Sequence, residues 1–352
     1  MKKIIFLILI TLFLSACALT VKTNPTSSSG GDGGVFISAD RGATWQQKIF
    51  VSQTQQKTVT IGNVDVAFFY FHPINQNTVY MSTLSNGLWK TDDLGETWVQ
   101  TSFKSGNVTG FDIDPKNPDI MFVGYQNTVQ KSIDAGKTWE VIYTNQPGNT
   151  INQVGIDSYN DQNIFAATSG GVLLKSEDQG TTWRILKQFP NKNLKRLIIL
   201  KIDSHIMFLI TQDGILRSND NGVTWSDTMT QALNKVTALP INDFIFTDRN
   251  PSIMYVASNN GIVKSKDGGS SWVVVPTVIP AGTVPIQSIA INVYDENEIY
   301  FTAGSTFYKS QDDGTTWQTL KNVSSSRLFK VIAADPKKAG TLFLGTLLVK
   351  KK

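Results

Sequence analysis

The chain has 352 residues, of which 41% are hydrophobic and 17% charged, and its formal net charge is +4. A disordered protein would be richer in charge, and a polytopic membrane protein would be far more apolar. One Cys and two His exclude a disulfide framework, a Cys-rich zinc site and a His-rich metal site. Lysines scattered singly are not typical of a nucleic-acid-binding surface. Plentiful Gly, Ser, Thr and Asn favour an all-β protein with many turns.

The amino terminus has the pattern of an export signal. Lys2 and Lys3 precede an apolar run over residues 4–14, which is too short to span a bilayer. The next residues, Leu14-Ser15-Ala16-Cys17, resemble a bacterial lipobox, which implies cleavage before Cys17 and acylation of that residue. An ordinary secreted protein is the alternative. We expect a signal peptide over residues 1–16, a tether rich in Ser, Gly, Asn and Thr over residues 17–32, and lipid anchoring on the periplasmic or cell-surface side of a bacterial membrane.

An octet of the form Ser-x-Asp-x-Gly-x-Thr-Trp occurs seven times, with conservative changes at its flanks. Its tryptophans are Trp45, Trp98, Trp139, Trp183, Trp225, Trp272 and Trp317. Its aspartates are Asp40, Asp93, Asp134, Asp178, Asp220, Asp267 and Asp312. Successive tryptophans are 41 to 53 residues apart, which is the length of one four-stranded propeller blade. The octets therefore predict a ring of similar blades.

Each unit between octets contains three apolar runs, and these predict strands A, B and C. Strand D is expected to begin at the Trp. The Asp carboxylate is suited to accept hydrogen bonds from its own turn, Gly provides a positive φ, and the Trp ring packs in the blade. Calcium binding or acid catalysis by the seven carboxylates is the alternative. We favour turn capping, because one Asp per blade does not assemble a site.

The two ends of the chain complement each other. The first octet lacks strands A and B before it, while the last octet is followed by an A strand at Leu328 to Asp335 and a B strand at Thr341 to Thr346. These halves together make one blade. The sequence thus predicts a seven-bladed propeller over residues 33–352 that is closed by a split blade, which leaves no free sheet edge between the termini.

The octet resembles the Asp box, or bacterial neuraminidase repeat. This motif occurs in sialidases, xyloglucan-cutting glycosidases, sortilin-type receptor domains and photosystem II stability/assembly factors. The resemblance implies the fold and says little about activity. Sialidases use an Arg triad and an Arg-Ile-Pro motif that this sequence lacks, and xyloglucan hydrolases use two propellers. Sortilin-type domains add a Cys-rich module, and the photosystem factors carry an Arg patch; neither is visible here.

Two functions stay open. The first is a non-enzymatic, membrane-tethered scaffold that binds a protein or peptide, or a glycan, and this is our expectation because catalytic side chains are scarce. The second is a glycoside hydrolase that uses a pair of carboxylates. We expect a monomer whose lipid contact is through acylated Cys17, with no cofactor, no metal and no nucleic-acid partner.

The face opposite the octets is the expected ligand face, since three long D-to-A connections lie there: Val51 to Val64, Thr228 to Ile241 and Thr277 to Pro285. Its candidate ligand residues, in B-to-C turns, are Tyr125, Gln126, Gln212, Asp213, Asn259 and Asn260. His72 and His205 are expected to be structural or solvated, and Trp89 to serve packing.

Overall fold

The computed structural model describes residues 31–55, 57–237 and 240–349. The signal peptide, Cys17 and most of the predicted tether lie outside these ranges. Within them, seven antiparallel sheets surround a central channel, so the protein is an all-β, seven-bladed propeller as the octets predict.

The innermost strand of each blade borders the channel. In blades 1 to 7 these strands are Val66–Phe71, Val108–Ile113, Ile151–Ile156, Leu194–Ile199, Ile241–Thr247, Ile286–Asn292 and Leu328–Ala334. The second strands are Val79–Thr83, Met121–Tyr125, Ile164–Thr168, Met207–Thr211, Asn250–Ser258, Asp295–Ala303 and Leu342–Leu347. All residues of the second strands in blades 1, 3 and 4 are buried, because each blade packs between two others. This explains why these strands are continuous apolar runs rather than alternating ones.

The outer half of each blade leads into and out of an octet. The third strands are Leu88–Thr91, Thr128–Ser132, Val172–Ser176, Gly214–Ser218, Gly261–Ser265, Thr306–Ser310 and, in blade 7, Val35–Ser38. The outermost strands are Val99–Gln100, Glu140–Thr144, Arg184–Gln188, Val273–Val275, Gln318–Leu320 and, in blade 7, Gln46–Gln47. They are short, as expected for exposed edges.

Blade 7 is built from both ends of the chain, as predicted. Its strand order is Gln46–Gln47, Val35–Ser38, Leu342–Leu347 and Leu328–Ala334. Phe36 pairs with Leu344, and Ser38 with Leu342, in an antiparallel ladder. Four residues at each end of the ring are therefore held by the main-chain hydrogen bonds of one sheet.

Blade 4 departs from the prediction, because it has no outermost strand after Trp225. Its sheet contains three strands, and the loop expected over Thr228 to Ile241 begins instead with a short helix, Thr228–Leu233. The Thr230 hydroxyl accepts the amide of Ile215 at 2.9 Å and donates to the Ile215 carbonyl at 2.7 Å. The helix therefore closes the exposed edge of the third strand without adding a strand.

The connection from blade 7 to blade 1 also differs from the expected loop. Between Val51 and Val64 the chain forms a hairpin of the strands Phe50–Gln53 and Thr58–Thr60. The third long connection, Thr277 to Pro285, contains neither strand nor helix, as predicted.

The propeller has two different faces. On the octet face, the residue before each octet Gly donates its amide to the turn between the first and second strands, as from Ala135 to the Asp119 carbonyl at 3.0 Å. The opposite face carries the turns between second and third strands and the blade-to-blade connections, where Leu84 N donates to the Asp65 carbonyl at 2.9 Å. No helix in the described ranges has the length and apolar content needed to cross a membrane.

Candidate functional site

Each octet forms the same turn, and its carboxylate is occupied inside that turn. In blade 2, Asp134 Oδ1 accepts the Ser132 hydroxyl at 2.8 Å and the Thr138 amide at 2.9 Å, and Oδ2 accepts the Thr138 hydroxyl at 2.6 Å. The same three bonds are made by Asp40, Asp93, Asp178, Asp220, Asp267 and Asp312. The geometry is that of a turn cap repeated once in each blade.

These hydrogen bonds keep the octet carboxylates charged. The hydrogen bond from the Thr or Ser hydroxyl has the largest effect on the carboxyl pKa, and the bond from the amide the next largest. Together they lower the pKa to about 2 at Asp134, Asp178, Asp220 and Asp267. Within the described ranges, no three His, Cys, Asp or Glu side chains are grouped so as to hold a metal ion. The octet aspartates therefore add negative charge to one face and assemble no catalytic pair.

The octet Gly allows both the turn and a close approach between blades. In blade 3, Gln179 has φ 54 and Gly180 has φ 93, two successive left-handed positions. A Cβ on Gly180 would lie 2.4 Å from Ile142 Cδ1 of the preceding blade. Only glycine satisfies both conditions without strain.

The octet tryptophans pack between successive blades. The ring of Trp183 lies 5.6 Å from that of Tyr143 in the preceding blade, and the ring of Trp225 lies 5.8 Å from that of Phe189. Trp98 and Trp272 are buried, whereas the other five octet tryptophans are half-buried. Trp89, outside the octets, is 9% exposed and donates its indole N–H to the Asn86 carbonyl.

Both histidines have local roles. His72 Nδ1 accepts the amides of Ile74 and Asn75 at 3.1 and 2.9 Å, so its ring caps a turn. Burial, and then the Lys337 charge, lower the pKa of His72, which favours the neutral ring that this cap requires. His205 is exposed, with Nδ1 3.0 Å from Asp203 Oδ1.

The six candidate ligand residues lie on the opposite face but do not converge. Gln212 accepts the Asn193 amide at 2.7 Å and donates to the Asn191 carbonyl, and Asp213 pairs with Lys192 at 3.1 Å. The others also brace loops: the Tyr125 hydroxyl donates to Ser105 O, the Gln126 carbonyl accepts the Ile151 amide, Asn259 Oδ1 accepts from Asn242, and the Asn260 amide donates to Ser258 Oγ. They occupy turns of blades 2, 4 and 5 and line none of the larger cavities.

The central channel contains a polar chain that sequence reasoning missed. Bulges in the inner strands of blades 4 to 6 place Arg196, Asp243 and Ser288 at equivalent positions. Arg196 Nη1 lies 3.2 Å from Asp243 Oδ1, Asp243 Oδ2 accepts the Ser288 hydroxyl at 2.8 Å, and Ser288 Oγ accepts the Ile332 amide at 3.2 Å. This chain of contacts links blades 4, 5, 6 and 7. In the sequence, this polar chain is indicated by a polar residue at the equivalent position of three consecutive, largely apolar inner strands.

The second channel carboxylate, Asp112, is bound by the backbone on both oxygens. Oδ1 accepts the Ile113 amide and Oδ2 accepts the Ile156 amide of the next blade, each at 2.9 Å. Burial raises the pKa of Asp112. The two amides position the carboxyl group between blades 2 and 3, beside a cavity that Asp112 helps to line.

That cavity, of about 650 Å³, opens at the octet-face end of the channel. Its wall includes the aromatic rings of Phe69, Tyr70, Phe71 and Phe111. We call it the octet-side cavity. Three lysines border it. Lys337 Nζ donates to the His72 carbonyl at 2.7 Å and to the Pro73 carbonyl, Lys116 Nζ donates to the Tyr159 carbonyl at 2.8 Å, and Lys201 has no ion-pair partner within the described ranges.

A second cavity, of about 420 Å³, lies toward the opposite face. Lys195, Lys330 and the paired Arg196 and Asp243 line it. The channel thus has ammonium groups at both ends and half-buried carboxylates between them, and its octet-side end is the more aromatic.

Residues 1–18 match the model of a prokaryotic membrane lipoprotein lipid attachment site. The protein is therefore exported and anchored to a membrane by lipid, as its amino-terminal sequence predicts.

Parts of this chain are similar in sequence to known proteins. A xyloglucanase of Paenibacillus sp is 24% identical over a match of 206 residues, with coverage of 44% of this chain and 20% of the xyloglucanase. The vacuolar protein sorting/targeting protein 10 of Pyricularia oryzae is 28% identical over 87 residues, 24% of this chain and 6% of that protein. The matched stretches thus cover a fifth or less of these relatives.

A solved structure of YCF48 bound to D1 peptide matches the fold, with a TM-score of 0.61, 15% identity, and coverage of 82% of this chain and 94% of that chain. Identity this low shows a common architecture alone. Residues 124–330, more than half of the sequence, match the model described as the DUF6242 beta propeller domain. The chain belongs to the DUF6242 beta-propeller family.

Proposed function

We propose that this protein is a non-enzymatic scaffold, anchored through acylated Cys17, that binds a protein or peptide partner at the octet-side cavity. The observation that carries the proposal is the construction of this cavity: an aromatic wall, and lysines fixed by main-chain carbonyls, of which Lys116 also lies 3.7 Å from the Asp161 carboxylate while Lys337 and Lys201 have no ion-pair partner within the described ranges. Such a site combines an apolar pocket with a few placed polar groups, which is typical of ligand recognition.

The positions of the fixed lysines indicate which chemical groups a partner presents to the cavity. Lys337 spans from blade 7 to two carbonyls of blade 1, and Lys116 from blade 2 to a carbonyl of blade 3, so their ammonium groups are held in place before binding. An apolar side chain of the partner would fill the cavity. A neighbouring carboxylate or main-chain carbonyl of the partner would accept a hydrogen bond from Lys201. A peptide segment supplies this combination, and YCF48, with a similar fold, has been solved with a peptide bound.

The hydrogen bonds of the channel carboxylates favour a binding function over hydrolysis. Asp112 is held by two amides, and Asp243 accepts from Arg196, Ser288 and the amides of Phe244 and Ile289. A general acid and its partner need a free oxygen directed at the substrate. Neither carboxylate offers one in this arrangement.

A photo-crosslinking residue at position 201, in the octet-side cavity, tests the proposal in the native membrane. The matched position is 104, an exposed lysine of the opposite face. We expect a discrete crosslinked protein from position 201 and none from position 104. With that protein purified, Lys201→Glu should weaken its binding roughly tenfold or more, whereas Lys137→Glu, in an octet turn, should not. Equal binding by both variants would refute the site.

The alternative, a glycoside hydrolase, is favoured by the partial match to a xyloglucanase and by the raised pKa of Asp112. Incubation with xyloglucan oligosaccharides tests it directly. Hydrolysis by the wild-type protein that disappears in Asp112→Asn would replace the scaffold proposal with an enzymatic one.

A further inference from the structure

Charge is distributed unequally between the two faces of the propeller. The octet face carries all seven octet aspartates, whose hydrogen bonds keep them ionised. The opposite face carries lysines without an ion-pair partner among the described residues: Lys57, Lys104, Lys195, Lys235 and Lys330.

The carboxylates of the opposite face are few and largely paired. Asp32 and Asp65 face the Arg327 guanidinium, and Asp213 pairs with Lys192. Asp227, which accepts from the Gln231 amide group, has no cationic partner in the described ranges. The opposite face is therefore basic over most of the ring, since its lysines come from connections before or within blades 1, 2, 4, 5 and 7.

The lipid tether joins the propeller on this basic face. Gly33 N donates to the Gly62 carbonyl at 3.1 Å, and Asp32 accepts from Ser326 and Arg327, so the chain enters the ring beside blade-to-blade connections. The stretch between Cys17 and Gly31 reaches at most about 50 Å when fully extended. The basic face is thus kept within that distance of the membrane.

Exposed apolar side chains surround the entry point. The backbone carbonyl of Asp65 accepts the Leu84 amide, and its Oδ1 accepts the Leu348 amide at 2.7 Å. Leu84 is 36% exposed, Leu348 51% and Val349 59%. Apolar side chains among lysines are the composition of surfaces that rest in the headgroup region of a bilayer.

From this arrangement we infer that the face opposite the octets docks on an anionic lipid surface. Its lysines contact phosphate groups, Leu84, Leu348 and Val349 enter the headgroup region, and the octet face points away from the membrane. The octet aspartates oppose the reverse orientation, because they would meet lipid phosphates of the same sign. The octet-side cavity then stays open to a partner.

Lysine reactivity measures this orientation without altering the protein. The mature lipidated protein is reconstituted in phosphatidylcholine vesicles with or without phosphatidylglycerol, and labelled with an amine-reactive reagent that does not cross membranes. We expect Lys57, Lys104 and Lys235 to react several-fold more slowly when phosphatidylglycerol is present, and Lys137 and Lys266 of the octet face to react equally in both. The protection should vanish near 1 M salt, where the Debye length is about 3 Å.

Charge-reversal variants separate docking from simple proximity. Lys57→Glu/Lys104→Glu should abolish the protection of Lys235, while the matched variant Lys137→Glu/Lys266→Glu should retain it; all four lysines replaced are exposed, so the fold is preserved. Protection of octet-face lysines, or equal labelling in both lipids, would overturn the inference. No partner protein is present, so the result is independent of the proposed function.

Discussion

Arg327 Nε donates to Asp32 Oδ1 at 3.2 Å, so an ion pair joins the residue that precedes the last inner strand to a residue three positions before the first strand of the ring. The Arg327 side chain is 5% exposed, and its Nη2 also donates to Asn63 at 2.9 Å, with Asp65 3.6 Å from Nη1. Ring closure therefore combines the shared sheet of blade 7 with a guanidinium that bridges to blade 1.

Replacing this guanidinium should destabilise the whole propeller. Arg327→Met removes the guanidinium from Asp32, Asn63 and Asp65, of which Asp32 retains its bonds from Ser326 and Asp65 its bond from Leu348, and we expect the free energy of unfolding to fall by about 2–4 kcal/mol. Urea denaturation of the mature chain measures it. Arg184→Met is the matched control, because Arg184 is half exposed and its ion pair with Glu177 should contribute less than about 1 kcal/mol. Similar losses in both variants would show that the bridge does not close the ring.

The octet spacing predicted the ring because the turn it encodes depends on local bonds. Ser132, Asp134 and Thr138 bond to one another within seven residues, so no distant contact is needed to form the turn. The split blade followed from counting strands at the two ends. Strand registers and the closing contact of Arg327 with Asp32 depend on residues far apart in sequence, and they had no local signal.

Blade 4 and the channel show where local patterns were insufficient. The octet ending at Trp225 is complete, yet a helix follows it, because Thr230 satisfies the third strand's edge in place of a strand. Arg196 and Asp243 are single polar residues in apolar strands 47 residues apart, and only the packing of blade 4 against blade 5 brings them together. Likewise, the residues predicted as a ligand face lie in or next to turns, and side chains such as those of Gln212 and Asn259 bond to neighbouring loops.

Acid should unfold the propeller partly through the octet turns. Their carboxyl pKa is about 2 in the folded protein at Asp134 and Asp178, below the ordinary value of 3.8. Folded protein thus binds fewer protons than unfolded protein in this range, so these groups stabilise it above about pH 4 and cease to do so as the pH falls toward about 2. Asp134→Asn/Asp178→Asn should be less stable at neutral pH and lose less stability on acidification.

Denaturant titrations at about pH 5 and about pH 3 compare the two proteins. A matched control is Asp227→Asn, which removes an exposed carboxylate outside the octets. If the octet variant lost as much stability between these pH values as the wild type, the octet carboxylates would not be a source of the acid sensitivity.

His72 takes the place that an aspartate has in other blades. In blade 2, Asp114 Oδ1 accepts the amides of Lys116 and Asn117 as His72 Nδ1 accepts those of Ile74 and Asn75. His72→Asp should therefore preserve the turn, whereas His72→Ala should lower the free energy of unfolding by about 1 kcal/mol. Thermal melting near pH 7.5 distinguishes the variants, and an Asp variant as unstable as the Ala variant would exclude this capping role.

The same substitution should change the pH dependence. The pKa of His72 is lowered in the folded protein, so its cap contributes stability above about pH 6.5 and loses it as the pH falls through the folded-state pKa. His72→Asp has no group that titrates there. Its melting temperature should therefore fall less than that of the wild type between pH 7.5 and about pH 5, and an equal fall would assign the sensitivity to another group.

The Thr230 hydroxyl should determine whether blade 4 keeps a closed edge. It bonds both the amide and the carbonyl of Ile215, and Thr230→Val removes these bonds while retaining the shape of the side chain. We expect a loss of about 1–3 kcal/mol, together with faster amide hydrogen exchange at Ile215. The matched change Thr228→Val, at an exposed hydroxyl in the same helix, should affect neither quantity. Unchanged exchange at Ile215 would mean that the helix covers this edge by packing of Met229 and Leu233 alone.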